Sequence, residues 1–140
     1  MIRKALLFLA LAVALLMVRD SSAEAPVETK KAVKEAPLTH VVIFQLKKDA
    51  GANAIESIIT DSHEMLTKIP TVRGLKVGRP SEKSKGGPVV QDYQVGLLVM
   101  FDDYDGLKTY NEHEQHTNYV KKHGKDFDKV LVYDFVNQAK

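Results

Sequence analysis

Four segments of the chain carry the alternating or continuous apolar pattern of β-strands. They are rich in β-branched and aromatic residues, which favour extended backbone. The segments span residues 38–47, 71–79, 92–101 and 129–136. In the third segment, and near the start of the first, both alternating faces are apolar, which is typical of strands covered on both sides. The third segment is therefore predicted to be a central strand.

The segment between the first two predicted strands has apolar residues at helical spacing. Asn53 precedes Glu56 by three positions, a pair that resembles the capping box at helix starts. The apolar stripe continues through Ile55, Ile58, Ile59, Ser62, Leu66 and Ile69. Pro70 follows directly and ends the pattern. A helix is therefore predicted between Asn53 and Pro70.

A second helical region follows the third predicted strand. Asp102 and Asp103 stand at its start, and Asp side chains are suited to cap a helix N-terminus. A further helical piece is predicted from His113 to about Lys122, and Gly124 breaks it. The region therefore comprises two helical pieces before the last strand.

The order of these elements, βαββαβ, predicts an α+β, ferredoxin-like fold. In this arrangement a four-stranded antiparallel sheet carries its helices on one face. The other face keeps apolar side chains at Val41, Ile43, Leu98 and Met100. An exposed apolar face of this kind calls for a covering partner, and a second copy of the chain is the simplest one. The protein is therefore predicted to be a homodimer.

The N-terminal segment has the pattern of a secretory signal peptide. A basic start precedes an apolar run over residues 5–18 and a small-residue exit at Ala23. Cleavage would leave a Pro- and Ala-containing linker, predicted to be disordered, at 24–37 and a domain at 38–140. Retention of the segment as an anchor is the alternative, although the run is shorter than the roughly 20 residues that span a bilayer. The expected location is secreted or periplasmic.

Charge and cysteine content exclude several classes of function. The chain holds 20 Lys and Arg against 18 Asp and Glu, and the predicted signal peptide contains three of the former and one of the latter. The mature chain is thus neutral, which argues against nucleic acid as a partner and gives no reason for membrane binding after cleavage. It has no cysteine, so disulfides, thiol nucleophiles and zinc–thiolate sites are excluded.

The densest acid–base chemistry lies in the second helical region. Tyr110, His113 and His116 fall close together there, and His40 lies on the first strand. If His40 and His116 meet, the His40 face of that strand must lie under the helices. The same face carries Val42 and Phe44, so the pattern predicts an apolar pocket with polar groups at one end, the usual composition of a small-molecule site.

The chain resembles the stress-responsive dimeric α/β barrel (Dabb) domain family. The resemblance covers nearly all of residues 38–137. It rests on Thr39–Lys47, Ile69-Pro70-Thr71-Val72, Phe101 with Leu107 and Tyr110, His113-x-x-His116 and Asp134-Phe135. The family implies a ferredoxin-like unit that dimerises through its sheets into a barrel.

The resemblance also implies roles for individual residues. A polyketide cyclase of the family uses a histidine, a tyrosine and a strand histidine at positions matching His116, Tyr110 and His40. By that likeness His116 is a candidate general base, Tyr110 a donor to a developing oxyanion, and His40 a positioning group. Val42, Phe44 and His113 are the candidate ligand-binding residues.

One residue departs from the family pattern, and three interpretations of the site stay open. Where the family has proline between its two histidines, this chain has Glu114, which also suits a helix start. The leading interpretation is a passive pocket for a small apolar molecule or a buried hydrogen-bonded network, with no cofactor. The second is a lyase or cyclase. The third is a mixed histidine and carboxylate metal site, although no metal is expected. Its candidate ligands are His113, His116 and His123, with Glu112 and Glu114 nearby.

Overall fold

A computed structural model describes residues 37–138 of the chain. The predicted signal peptide and most of the predicted linker lie outside the described residues, and both stay predictions. None of the helices in 37–138 has the length and apolar character needed to cross a membrane.

The described part of the chain forms one sheet with helices on one face. The strands are β1 (Leu38–Leu46), β2 (Gly74–Gly78), β3 (Val95–Phe101) and β4 (Phe127–Val136). The helices are α1 (Ala54–Met65), α2 (Tyr104–Glu112) and α3 (Glu114–His123), with short 3-10 turns at Leu66–Lys68 and Gly124–Asp126. The predicted βαββαβ order and ferredoxin-like fold are confirmed, and the second helical region is split into two helices.

The sheet has the order β2-β3-β1-β4, and all neighbouring strands are antiparallel. Strands β1 and β3 are therefore central, in agreement with their apolar faces. In both strands every second residue is buried, because one face lies under the helices. That face and the helices share a core formed by Leu38, Val42, Phe44, Ile58, Leu66, Ile69, Val95, Leu97, Val99, Phe101, Leu107, Tyr110 and Tyr119. Each such side chain contributes roughly 1.5–3 kcal/mol on burial.

The start of α1 differs from the prediction. The Asn53 side chain makes no capping hydrogen bond, so the capping box with Glu56 does not form. The backbone of Asn53 has φ −102° and ψ 8°. An N-cap residue usually has extended backbone, which brings its side chain near the free N–H groups of the first turn. The helix instead begins with a turn in which Ala54 N–H donates to Gly51 O.

The other helix starts are capped by side chains. Asp103 accepts a hydrogen bond from Gly106 N–H at 2.8 Å, as its sequence position predicts. His113 separates α2 from α3, because its extended backbone interrupts the helix. The His113 ring accepts a hydrogen bond from Gln115 N–H at 3.1 Å. This imidazole therefore serves as the N-cap of α3, and Glu114 occupies the first helical position.

Helices α1 and α3 are joined by a buried polar cluster. Asp61 accepts hydrogen bonds from His123 Nε2 at 2.7 Å and from Lys122 Nζ at 2.6 Å. Beside this pair, the hydroxyls of Ser62 and Tyr119 lie 3.0 Å apart. Asp61 and His123 are 7% and 2% exposed. Buried polar groups need hydrogen-bond partners, and these two side chains supply each other with one.

Candidate functional site

A cavity of about 230 Å³ lies between the sheet and helices α2 and α3. Most of its wall is apolar and comes from Val42, Phe44, Leu97, Phe127, Val130 and Val132. Its polar lining residues include His40, Tyr110 and His116. The predicted meeting of these three residues on the helix side of the sheet is thus present in the structure.

His40 reaches the cavity from the central strand β1. It is 7% exposed, and its Nδ1 lies 2.6 Å from Asp134 Oδ1. The antiparallel register of β1 with β4 places these two residues directly opposite each other. A carboxylate oxygen only accepts hydrogen bonds, so Nδ1–H donates to Asp134. In the neutral ring the remaining nitrogen, Nε2, is then an acceptor.

Tyr110 comes from α2 and is 1% exposed. Its ring packs against Phe101 at 5.1 Å and His40 at 6.0 Å between centroids. Burial raises the pKa of the Tyr110 hydroxyl, and Tyr119 raises it further. The phenol therefore stays protonated and can donate a hydrogen bond. Within residues 37–138 its hydroxyl has no hydrogen-bond partner. Since only Thr71 Oγ1 is a fully buried side-chain atom without a partner there, the Tyr110 oxygen keeps some exposure.

His116 comes from α3, and its ring centroid lies 4.6 Å from that of Tyr110. Its Nδ1 is 3.0 Å from the backbone oxygen of Asn111. A carbonyl only accepts, so Nδ1 carries the hydrogen and Nε2 carries the lone pair. Burial lowers the pKa of His116; the bond to Asn111 opposes this shift, and His40 adds to it. The neutral base form therefore prevails at neutral pH.

The candidate ligand-binding residues divide into two groups. Val42 and Phe44 line the cavity as predicted, whereas His113 is not among its lining residues and caps α3. Two lining aromatic residues received no role from the sequence. Phe127 stacks on Phe44 at 4.7 Å, and Tyr119 lies three positions after His116 on α3. The helical spacing from His116 was the available signal for Tyr119.

Asp134 is the residue that sequence reasoning missed most clearly. It belongs to the Asp134-Phe135 pair on which the family resemblance rests, but only the register of β1 with β4 brings it to His40. Its carboxylate is about half exposed, so it stays solvated while it orients the His40 ring.

The histidines considered for a metal site are not brought together. In the described part of the chain, no group of three or more His, Asp or Glu side chains is placed to hold a metal ion. His123 is paired with Asp61, His113 caps α3, and His116 faces the cavity.

Comparisons with solved structures agree with this architecture. A dimeric ferredoxin-like protein from Thermobifida fusca matches with a TM-score of 0.61 and 17% identity over 71% of this chain and 89% of that one. Hydroxynitrile lyase from Passiflora edulis matches with a TM-score of 0.60 and 17% identity over 74% and 94% of the two chains. At these identities the likeness shows the fold alone.

The family is shown by the sequence itself. No curated protein matches the chain in a sequence search. A Dabb family protein from Mesorhizobium loti with a ferredoxin-like fold is 25% identical over 73% of this chain and 97% of that one, with a TM-score of 0.59. The family model described as the stress responsive A/B barrel domain matches residues 38–137. The chain therefore belongs to the Dabb, or stress responsive A/B barrel domain, family.

Proposed function

We propose that the protein binds a small, mainly apolar molecule in the cavity between its sheet and helices α2 and α3. The observation that carries this proposal is Tyr110, which lines the cavity and whose hydroxyl has no hydrogen-bond partner among the described residues. That hydroxyl is not among the fully buried unpartnered atoms of the described residues, so it keeps some exposure and can donate a hydrogen bond to a ligand. If these residues formed a self-contained hydrogen-bonded network, the Tyr110 hydroxyl would instead be bonded to one of the neighbouring histidines.

The size of the cavity limits the ligand. Drug-sized molecules occupy pockets of roughly 300–1,000 Å³, and this cavity is smaller at about 230 Å³. It suits a molecule of about one ring. The walls formed by Val130 and Val132 belong to the edge strand β4, where these side chains are 42% and 49% exposed. In the single chain a ligand can therefore enter the cavity from the side of β4.

Filling the cavity tests this proposal. A screen of uncharged one-ring fragments by ligand-observed NMR identifies binders of the wild-type protein. We expect Val132→Phe to weaken their binding about tenfold or more, because the added ring occupies space that the ligand needs. Val90→Phe is the matched control, since Val90 is 65% exposed on the β2–β3 loop and does not line the cavity. Binding that Val132→Phe leaves unchanged contradicts the proposal.

The proposed form of the protein is an exported homodimer. The open sheet face still exposes apolar surface at Tyr133 and Phe135, which are 56% and 55% exposed. A surface of this kind favours a partner, and a dimeric ferredoxin-like protein shares the fold. Export is supported by the pattern of residues 1–23. An intact Met1 on protein recovered outside the cytoplasm would contradict cleavage.

Proton-transfer catalysis is the second candidate function. His116 Nε2 carries a lone pair next to a protonated phenol, the pairing needed to remove a carbon-bound proton while Tyr110 donates to the developing oxyanion. His40, held by Asp134, would position the substrate. The hydroxynitrile lyase from Passiflora edulis shares the fold, so the fold is compatible with lyase activity.

Deuterium exchange tests this second candidate. One-ring methyl ketones incubated with the protein in D₂O should exchange their carbon-bound hydrogens, and His116→Gln should slow exchange about a hundredfold. The pKa of His116 is lowered from 6.5, so its base form persists below that pH and the exchange rate should fall only at lower pH. His63→Gln, at an exposed position, is the control. Equal rates in both variants exclude His116 as the base.

A further inference from the structure

The hydrogen-bonding groups at the polar end of the cavity define what a ligand must present. His116 Nδ1 is committed to the Asn111 carbonyl, and His40 Nδ1 to the Asp134 carboxylate. Both partners accept only, so in the neutral form of each ring Nε2 is unprotonated. Neither Nε2 has a hydrogen-bond partner in 37–138. Of the other polar lining residues, Asn111 is exposed and the Tyr119 hydroxyl is bonded to Ser62. The remaining groups of the polar end are two acceptors, His40 and His116, and one donor, Tyr110.

A hydroxyl group is the complement of this set. It donates one hydrogen bond to an imidazole nitrogen and accepts one from the Tyr110 hydroxyl. A carbonyl or ether oxygen only accepts, so it satisfies Tyr110 and leaves both imidazole nitrogens without a donor. An apolar group satisfies none of the three, and each buried group left unpaired lowers affinity.

A negatively charged ligand finds no counter-charge in the cavity. Neither Lys nor Arg is among the lining residues. The Asp134 carboxylate lies behind His40 and disfavours a second negative charge beside it. Removing an anion from water into an apolar cavity without a cation is costly. Carboxylates and phosphates are therefore excluded in favour of neutral groups.

From these contacts we infer that the ligand is an uncharged one-ring compound with a hydroxyl group, an alcohol or phenol, bound between Tyr110 and the two imidazoles. This inference rests on the proposed ligand-binding function and specifies its chemical class. The enol of a small ketone presents the same hydroxyl, so it also fits the site.

Four compounds with the same methyl-substituted ring test the class directly. They are p-cresol, 4-methylanisole, toluene and 4-methylbenzoate, and their dissociation constants are measured with the purified protein by ligand-observed NMR at pH 7.5. We expect p-cresol to bind about tenfold or more tightly than 4-methylanisole or toluene, as the loss of one neutral hydrogen bond implies. We expect 4-methylbenzoate to bind most weakly.

Variants of the protein test whether the preference for p-cresol arises at this site. Tyr110→Phe should reduce the preference for p-cresol over toluene severalfold while toluene binds as before, and Val132→Phe should weaken both. Equal binding of p-cresol, 4-methylanisole and toluene, all sensitive to Val132→Phe, overturns the hydroxyl class and leaves ligand binding intact. Tightest binding by 4-methylbenzoate also overturns the class. If none of the four compounds and no fragment of the screen binds, the proposed function itself is wrong.

Discussion

Asp61→Ala is expected to lower the free energy of unfolding by about 3 kcal/mol or more, since removal of one partner from a buried ion pair costs roughly 3–5 kcal/mol. The variant leaves the His123 Nε2–H without an acceptor in a position that is 2% exposed. It also removes the contact of Lys122 with the same carboxylate. Urea unfolding at pH 7, followed by circular dichroism, measures the loss.

Glu64→Ala is the matched control for this prediction. Glu64 lies on the same helix as Asp61 but is exposed, and a surface change of this kind stays within about 0.5 kcal/mol. Asp61→Asn removes the charge and keeps an oxygen that accepts from His123, so its effect should be intermediate. An Asp61→Ala variant as stable as Glu64→Ala would refute the structural importance of the cluster.

The contribution of Asp61 should also depend on pH. Burial disfavours its ionised form, but the hydrogen bonds and charges of Lys122 and His123 outweigh burial and lower its pKa below 3.8. The folded state therefore keeps the carboxylate ionised at pH values where the unfolded chain binds a proton. The stabilisation is complete above about 3.8 and is lost as pH falls through the lower folded-state pKa. The difference in the free energy of unfolding between wild type and Asp61→Asn should therefore become smaller at acid pH.

Much of the site was accessible from the sequence because it follows from periodicity. Alternation along a strand places His40 on one face with Val42 and Phe44, and apolar side chains of that kind belong under the helices. Tyr110 and His116 lie on different helices, so their contact depends on the extended backbone of His113 and was expected from the family resemblance, not from spacing. The period of the strand alone thus predicts which face of the sheet holds the site.

Contacts that depend on register or on local backbone angles were not accessible in this way. Asp134 reaches His40 only through the alignment of two strands far apart in the chain. The pairing of Asp61 with His123 depends on how α1 packs against α3. His113 looks like a ligand-binding histidine in the sequence, but its extended backbone makes it a cap. Such roles are fixed by tertiary geometry, which residue spacing does not encode.

Leu98→Asp is expected to convert the protein from a dimer into a monomer. Leu98 is on the central strand β3, on the sheet face opposite the helices, and it is partly exposed in the single chain. In the proposed dimer this face is covered by the second copy, so the new carboxylate of each copy would be desolvated. Several kcal/mol per buried ion, in two symmetric copies, corresponds to a loss in affinity of about a thousandfold or more.

The same substitution should change the free energy of unfolding of the single chain little, because in a monomer the new carboxylate points to solvent. Tyr104→Asp is the control, since Tyr104 is 69% exposed on α2 and lies away from the open sheet face. Sedimentation velocity at micromolar concentration should give a dimer for wild type and Tyr104→Asp, and a folded monomer for Leu98→Asp. A wild-type monomer, or a Leu98→Asp dimer, would mean that the sheets do not form the interface. The exposed apolar side chains of β4 would then need a different partner.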